Sequence, residues 1–391
     1  MVKLIKSAFF EEEKTKKALA DFIVQAPQLS FGPQCEKFEE AFAAWQGRAQ
    51  CVFVNSGSSA NLAIVQALLN LGKLKKGDTV GFSALTWSTN VMPLIELGLV
   101  PVPIDVELDT LNVSSKKLAE RLAEFPLKGL FITNLLGFCD DIDAIAALCK
   151  EKNIILFEDN CESLGTVYQG KKLGNFGIAS TFSFFVGHHM STIEGGAVCT
   201  DDAELAQMLR MVRAHGWDRN LKSAEQTELR ANHATDAFYG KYTFYDLGYN
   251  LRPTEVAGFL GNSQMPYADT IVAGRERNFK TIAAAAAKNG RAYYPIRFDH
   301  IDVVSNFAVP IVCRDQATRD ALVAHAEGRM EVRPIVGGDI TQQPFFKKYI
   351  PDAIRVAQNP NADLIHKNGL YCPNNPELTV EEITTIIDVI A

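Results

Sequence analysis

Short apolar runs alternate with amphipathic stretches over the first two-thirds of the chain. QCVFVNS (50–56), DTVGFS (78–83), VPVPID (100–105), GLFITNLLG (129–137), NIILFEDN (153–160), STFSFF (180–185) and GAVCT (196–200) are β-rich and bounded by turn residues. Most are separated by segments with helical spacing, such as ANLAIVQALLNLG (60–72) and DIDAIAALCKEK (141–152). Buried strands alternating with helices predict an α/β unit, a mainly parallel central sheet covered on both faces. Ligands of such sheets bind at the carboxyl ends of the strands.

The pattern changes after about Asn250. A long helical stretch (270–290) precedes two strand candidates, FAVPIVC (307–313) and MEVRPIV (330–336), and a final helical stretch, TVEEITTIIDVI (379–390). The expected division is a large α/β domain over 1–250, with an N-terminal helical segment, and a smaller α+β domain over 251–391. The weakly patterned segment 220–244 reads as a long loop at a site or a subunit interface.

Composition narrows the function. The 391 residues are 47% hydrophobic and 22% charged, an ordinary globular balance. A net charge of -7 argues against nucleic acid and anionic membranes as partners, though it leaves room for a local basic pocket. MVKLIKSAFFEEEKTKK turns acidic before any apolar run of signal length, which predicts no secretory leader. No run is long enough to span a membrane. The eight cysteines (35, 51, 139, 149, 161, 199, 313 and 372) include no closely spaced pair, so they read as reduced thiols of a cytoplasmic protein with no metal or iron–sulfur site.

Three motifs carry chemistry. NSGSSAN (55–61) follows a strand and opens a helix, where free amides and the helix dipole favour a phosphate; a plain serine N-cap explains it equally well in isolation. LFEDNCES (156–163) puts Asp159 and Glu162 at the end of an apolar strand, where a carboxylate can pair with a protonated ring nitrogen or cap a helix. ALTWSTN (84–90) offers Trp87 as a stacking face or as core. In FSFFVGHHMSTIEGG (182–196) the adjacent His188 and His189 point different ways, which disfavours joint chelation of a metal.

Together SGSSAN, EDNCES, SFFVGHHMSTIEGG, RAHGWDRN and GYNLRP resemble the vitamin B6-dependent DegT/DnrJ/EryC1/StrS sugar aminotransferase family, over nearly the whole chain. That resemblance implies a type I pyridoxal-phosphate transferase fold, like aspartate aminotransferase. In most members the residue eight positions before the second glycine of the E-G-G turn is the lysine that binds the cofactor covalently. Here that position is His188, and no lysine lies between Lys172 and Lys222. The departure is similar to a small branch of 3-dehydratases acting on nucleotide-linked 4-keto-6-deoxyhexoses for 3,6-dideoxysugar biosynthesis, with GDP-4-keto-6-deoxy-D-mannose favoured.

The resemblance implies further expectations. Gly57, Ser58 and Ser183 hold the cofactor phosphate, joined by Asn250 from a second subunit in a homodimer with shared sites. Trp87 stacks on the ring, Asp159 pairs with its nitrogen, and Glu162 supports the ring or contacts the amine. His188 is the catalytic base, and His215, Arg219 and Arg333 contact sugar or glutamate. Pyridoxal phosphate and its pyridoxamine form are held non-covalently, with L-glutamate as amino donor. The rival readings are a sugar aminotransferase, a catalytically silent binding relative, and an iron–sulfur CDP-sugar dehydratase; the last lacks the closely spaced cysteines that branch uses.

Overall fold

The computed structural model describes residues 1–350, 352–355 and 358–391. Its main sheet has seven strands: β1 (Gln50–Val54), β2 (Thr79–Ser83), β3 (Val100–Ile104), β4 (Gly129–Thr133), β5 (Ile155–Asp159), β8 (Ala179–Ser183) and β9 (Gly196–Thr200). The strands β6 (Val167–Tyr168) and β7 (Lys171–Lys172) form a separate small hairpin. The order β1-β9-β8-β5-β4-β2-β3 is parallel from β8 to β3. Only β9 runs against its neighbours, pairing antiparallel with β1 and β8. Six strands therefore deliver their carboxyl ends to one edge of the sheet.

A three-stranded antiparallel sheet follows, in the order β10 (Ala308–Val312), β12 (Gly369–Pro373), β11 (Arg333–Pro334). The helices Ala268–Ala287 and Val380–Ile390 pack near it. One apolar core runs from Val102 and Leu130 in the main sheet through Phe279 to Ile311 and Leu370 in the small one, which fixes the two layers against each other. Ahead of the first helix, Val2 bridges Met330 and Leu4 N–H donates to Glu331 at 3.1 Å, so the N-terminal segment is laced to the small sheet.

The segment expected as a long loop contains a helix, Ser223–Asn232. None of its residues is buried, so it carries no apolar stripe to announce it. Lys222 N–H donates to the Glu225 carboxylate at 2.8 Å, closing its first turn. Among the described residues, no helix is long and apolar enough to cross a membrane.

Candidate active site

A cavity of about 440 Å³ opens at the carboxyl edge of the main sheet. Thr133 ends β4, Asp159 ends β5 and Ser183 ends β8, and all three line it. Its floor at the β1 end is the start of the helix Gly57–Asn70. Ser56 caps that helix by accepting from Ser59 N–H at 3.0 Å, and Gly57 and Ser58 of its first turn, where helix amides lack intrahelical partners, line the cavity. The loop is tightly built. A Cβ on Gly57 would stand 2.7 Å from Ser183 Cβ, and one on Gly196 would stand 2.2 Å from the Ser56 carbonyl. Both glycines are close-approach positions, which makes this helix start a cradle of small residues suited to a phosphate.

Asp159 is held on both carboxylate oxygens. Oδ2 accepts from Asn90 Nδ2 at 2.7 Å and from Asn61 Nδ2 at 2.9 Å, while Oδ1 accepts from Cys161 N–H at 2.8 Å. A carboxylate so oriented fits a protonated ring nitrogen. Its neighbour on the strand, Glu158, is buried on the other side and accepts from the amides of Gly174, Phe176 and Gly177, a structural task. Glu162 accepts from Leu136 N–H at 2.9 Å. Burial pushes its carboxyl up to about 8, against the Leu136 hydrogen bond, and the nearby Asp159 charge adds to the rise. Glu162 is therefore a neutral acid, and a hydrogen-bond donor, at pH 7.

The run FSFF alternates as a strand should. Phe182 and Phe184 are fully buried among Phe38, Phe42 and Phe53, while Ser183 and Phe185 face the cavity. The turn that follows is closed by Phe184 N–H to Gly195 O at 2.9 Å and Val186 N–H to Ile193 O at 3.1 Å. That closure sets the half-buried His188 on the cavity wall, its ring 5.7 Å from that of Phe185 and 5.2 Å from that of Phe307. Nδ1 is buried and makes no hydrogen bond. Burial, and then the Arg275 guanidinium, hold the pKa of His188 down to about 4. His189 is buried behind the wall and does not line the cavity.

Residues 11–391 match the model of the DegT/DnrJ/EryC1/StrS aminotransferase family. The chain belongs to that family. It is 33% identical, over 94% of its length and 93% of the relative's, to the GDP-4-keto-6-deoxy-D-mannose 3-dehydratase of Yersinia pseudotuberculosis. A crystal structure of a GDP-4-keto-6-deoxymannose-3-dehydratase with bound GDP-perosamine, in which a histidine is replaced by asparagine, superposes with a TM-score of 0.88 at 29% identity, covering all of both chains. A structure of that enzyme with a trapped PLP-glutamate geminal diamine also gives 0.88 at 29% identity, again over the whole of both chains. The α/β fold, with its mostly parallel sheet and smaller C-terminal sheet, is the fold of these family members.

Against this family background the expected site residues fall into two groups. Gly57, Ser58, Trp87, Asp159, Glu162, Ser183, His188 and Arg333 line one cavity. Arg333 reaches it from β11, tied to Glu331 at 2.7 Å. His215, Arg219 and Asn250 lie away from it and near one another. Ala214 bridges Asn250, His215 N–H donates to Tyr249 O at 2.7 Å, and Arg219 stacks on Trp217 at 4.1 Å.

Sequence reasoning passed over Asn61 and Asn90, although both stand inside motifs it singled out. It also missed Leu4 and Ile5, Phe307 and Tyr371, which line the cavity from remote segments. Tyr371 lies opposite Arg333 in the β11–β12 register, and that pairing becomes visible only once the sheet is known. Among the described residues, no group of three or more metal-ligating side chains is gathered.

Proposed function

We propose that this chain is a pyridoxal/pyridoxamine-phosphate-dependent 3-dehydratase of a nucleotide-linked 4-keto-6-deoxyhexose, with GDP-4-keto-6-deoxy-D-mannose favoured. L-Glutamate supplies the amino group and leaves as 2-oxoglutarate, and ammonia is released with the 3-deoxy sugar. One observation carries the reading. Among the described residues, no lysine stands on the wall of the cavity, and the position facing it from the E-G-G turn is an imidazole. Imidazole forms no stable imine, so retention rests on non-covalent contacts.

The residues present suit the cofactor. The amides and hydroxyls at Gly57, Ser58 and Ser183 suit its phosphate, Trp87 its ring face, and Asp159 its ring nitrogen. When bound, the pyridinium ring supplies an electron sink for bond cleavage at the attached carbon. His188, neutral across the physiological range, takes up a proton on its imidazole. A low pKa makes the resulting imidazolium a ready donor, so the same residue can pass that proton to the departing C3 hydroxyl oxygen. Glu162, its carboxyl raised by burial, can offer a hydrogen-bond donor to a ligand in the cavity. The apolar walls of Phe185, Phe307 and Ile5 limit water around the imidazole.

A symmetric homodimer completes the reading. Phe238, Tyr239, Tyr242, Phe244 and Leu247 are all more than half exposed, a large apolar surface next to Asn250 and Arg219. Its covering by a second copy would bring Asn250 of one subunit to the phosphate of the other. The deciding experiment offers GDP- and CDP-linked 4-keto-6-deoxyhexoses with glutamate and measures ammonia and 2-oxoglutarate. Ammonia release with the GDP sugar supports the proposal. A stable aminosugar product would replace it with the aminotransferase reading, and a requirement for iron and a reductase with the iron–sulfur one.

A further inference from the structure

The geometry points to Arg275 as a positioning residue for His188: its guanidinium gathers the carbonyls of His188 and Phe307 and so seats the imidazole on the cavity wall. The inference rests on His188 being the base.

Arg275 is buried on the helix Ala268–Ala287. Nη2 donates to His188 O at 2.9 Å, and Nη1 donates to Phe307 O at 3.1 Å and to Asn374 O. Phe307 is the ring against which the imidazole leans. One side chain thus holds the backbone of the base and the backbone of its packing partner, which come from segments more than a hundred residues apart in the chain. A planar fork of donors can span these carbonyls, where a lysine ammonium cannot.

Arg275 forms no ion pair among the described residues, and burial brings its pKa down to about 9. An uncompensated buried cation is costly, so the fold tolerates it for what it orders. Its charge has a second effect. The charged or titratable groups around His188 are Arg275 from the helix, His189 on the same turn, Glu377 beyond the small sheet, and Asp159, Cys161, Glu162, Glu194, Arg333 and Tyr371 around the cavity, the Cys161 and Tyr371 groups kept neutral by burial. Glu162 is neutral at pH 7, His189 is kept neutral by burial and by Arg275, and Arg333 is paired with Glu331. Asp159, Glu194 and Glu377 are the carboxylates of this set, and Arg275 is the cation that, after burial, opposes an imidazolium at His188.

The test compares Arg275→Met and Arg275→Lys in the cofactor-loaded enzyme, with kcat and KM measured across pH and the His188 imidazole titrated by NMR, assigned by its loss in His188→Asn. Arg275→Met should lower kcat by about 10²-fold, the scale of a displaced catalytic group, with KM for the nucleotide sugar little changed. His188 in the wild type should titrate well below its ordinary value, held down by burial and then by Arg275. Without the guanidinium its pKa should rise, carrying the acid limb of kcat/KM upward with it. Arg275→Lys keeps the charge but not the fork, so its limb should stay low while kcat falls.

Wild-type kcat in either variant overturns the positioning role, and the lysine variant decides the matter if the methionine variant does not fold. Wild-type His188 titrating at the ordinary value of about 6.5 overturns the electrostatic part. If His188→Asn itself dehydrates normally, the base assignment fails first. If it is inactive while Arg275→Met is normal, only this inference fails.

Discussion

The side-chain amide of Asn61 donates to Asp159 Oδ2 at 2.9 Å, joining the helix that begins at the phosphate cradle to the acid at the end of β5. The two ends of the proposed cofactor site are therefore mechanically one. Hydrogen bonds to charged groups contribute about 1.5–3 kcal/mol. Asn61→Ala should accordingly weaken retention of pyridoxal phosphate roughly ten- to a hundredfold, and adding Asn90→Ala should weaken it further. A spectroscopic titration of the apoenzyme measures this, and unchanged dissociation constants in both variants would remove Asp159 as the ring partner.

His188→Asn should keep the cofactor and lose dehydration by about 10²- to 10⁴-fold, the usual cost of removing a general base. His188→Lys should differ in kind. Its amine should capture the cofactor covalently, seen as a shifted absorption band and a borohydride-reducible link at position 188. His189→Asn, behind the wall, should retain much of the activity. If the His189 variant is inactive and the His188 variants are normal, the wrong histidine has been assigned.

Glu162 should make the apoprotein less stable as pH rises. Burial pushes its folded pKa up to about 8, above the ordinary carboxyl value of 4.5, so the folded state binds the extra proton between those limits. The contribution is complete below about 4.5 and is lost as pH rises through about 8. Glu162→Gln keeps an acceptor for Leu136 N–H and removes the titration. Thermal melts of both proteins should converge near pH 5, with the variant gaining on the wild type toward pH 9. A pH-independent difference would show that Glu162 does not titrate in this window.

If sites are shared, two inactive proteins should rescue each other. His188→Asn and Asn250→Asp subunits, unfolded and refolded together, should regain activity because a mixed dimer contains one undamaged site. Each homodimer alone should stay impaired. Failure of rescue in mixed dimers confirmed by mass would place Asn250 outside the partner's site.

What was legible in the sequence was local. β1, the cradle after it, Asp159 at the end of β5 and the His188 turn each announce themselves within a dozen residues, through strand alternation and turn chemistry. Phe182 and Phe184 could be assigned to the core by period alone. What escaped depends on tertiary structure. Ile5, Phe307 and Tyr371 are ordinary apolar or aromatic residues until the small sheet and the N-terminal segment fold over the cavity. Arg275 sits in a helix that also carries Arg277 and Lys280, and nothing nearby marks it as the buried one. The helix Ser223–Asn232 escaped because an exposed helix has no apolar period to read.

The position of β1 at the edge of the main sheet sets a timetable for biosynthesis. Its one strand neighbour in that sheet is β9, which ends at Thr200. At roughly 5–20 residues per second, the ribosome needs on the order of ten seconds after making β1 to deliver that neighbour. For most of that interval the cradle at Gly57 has neither Ser183 beside it nor Gly196 behind it. A nascent chain stalled before Ser183 should therefore be blind to pyridoxal phosphate, and the vitamin can assist folding only after the histidine turn has been translated.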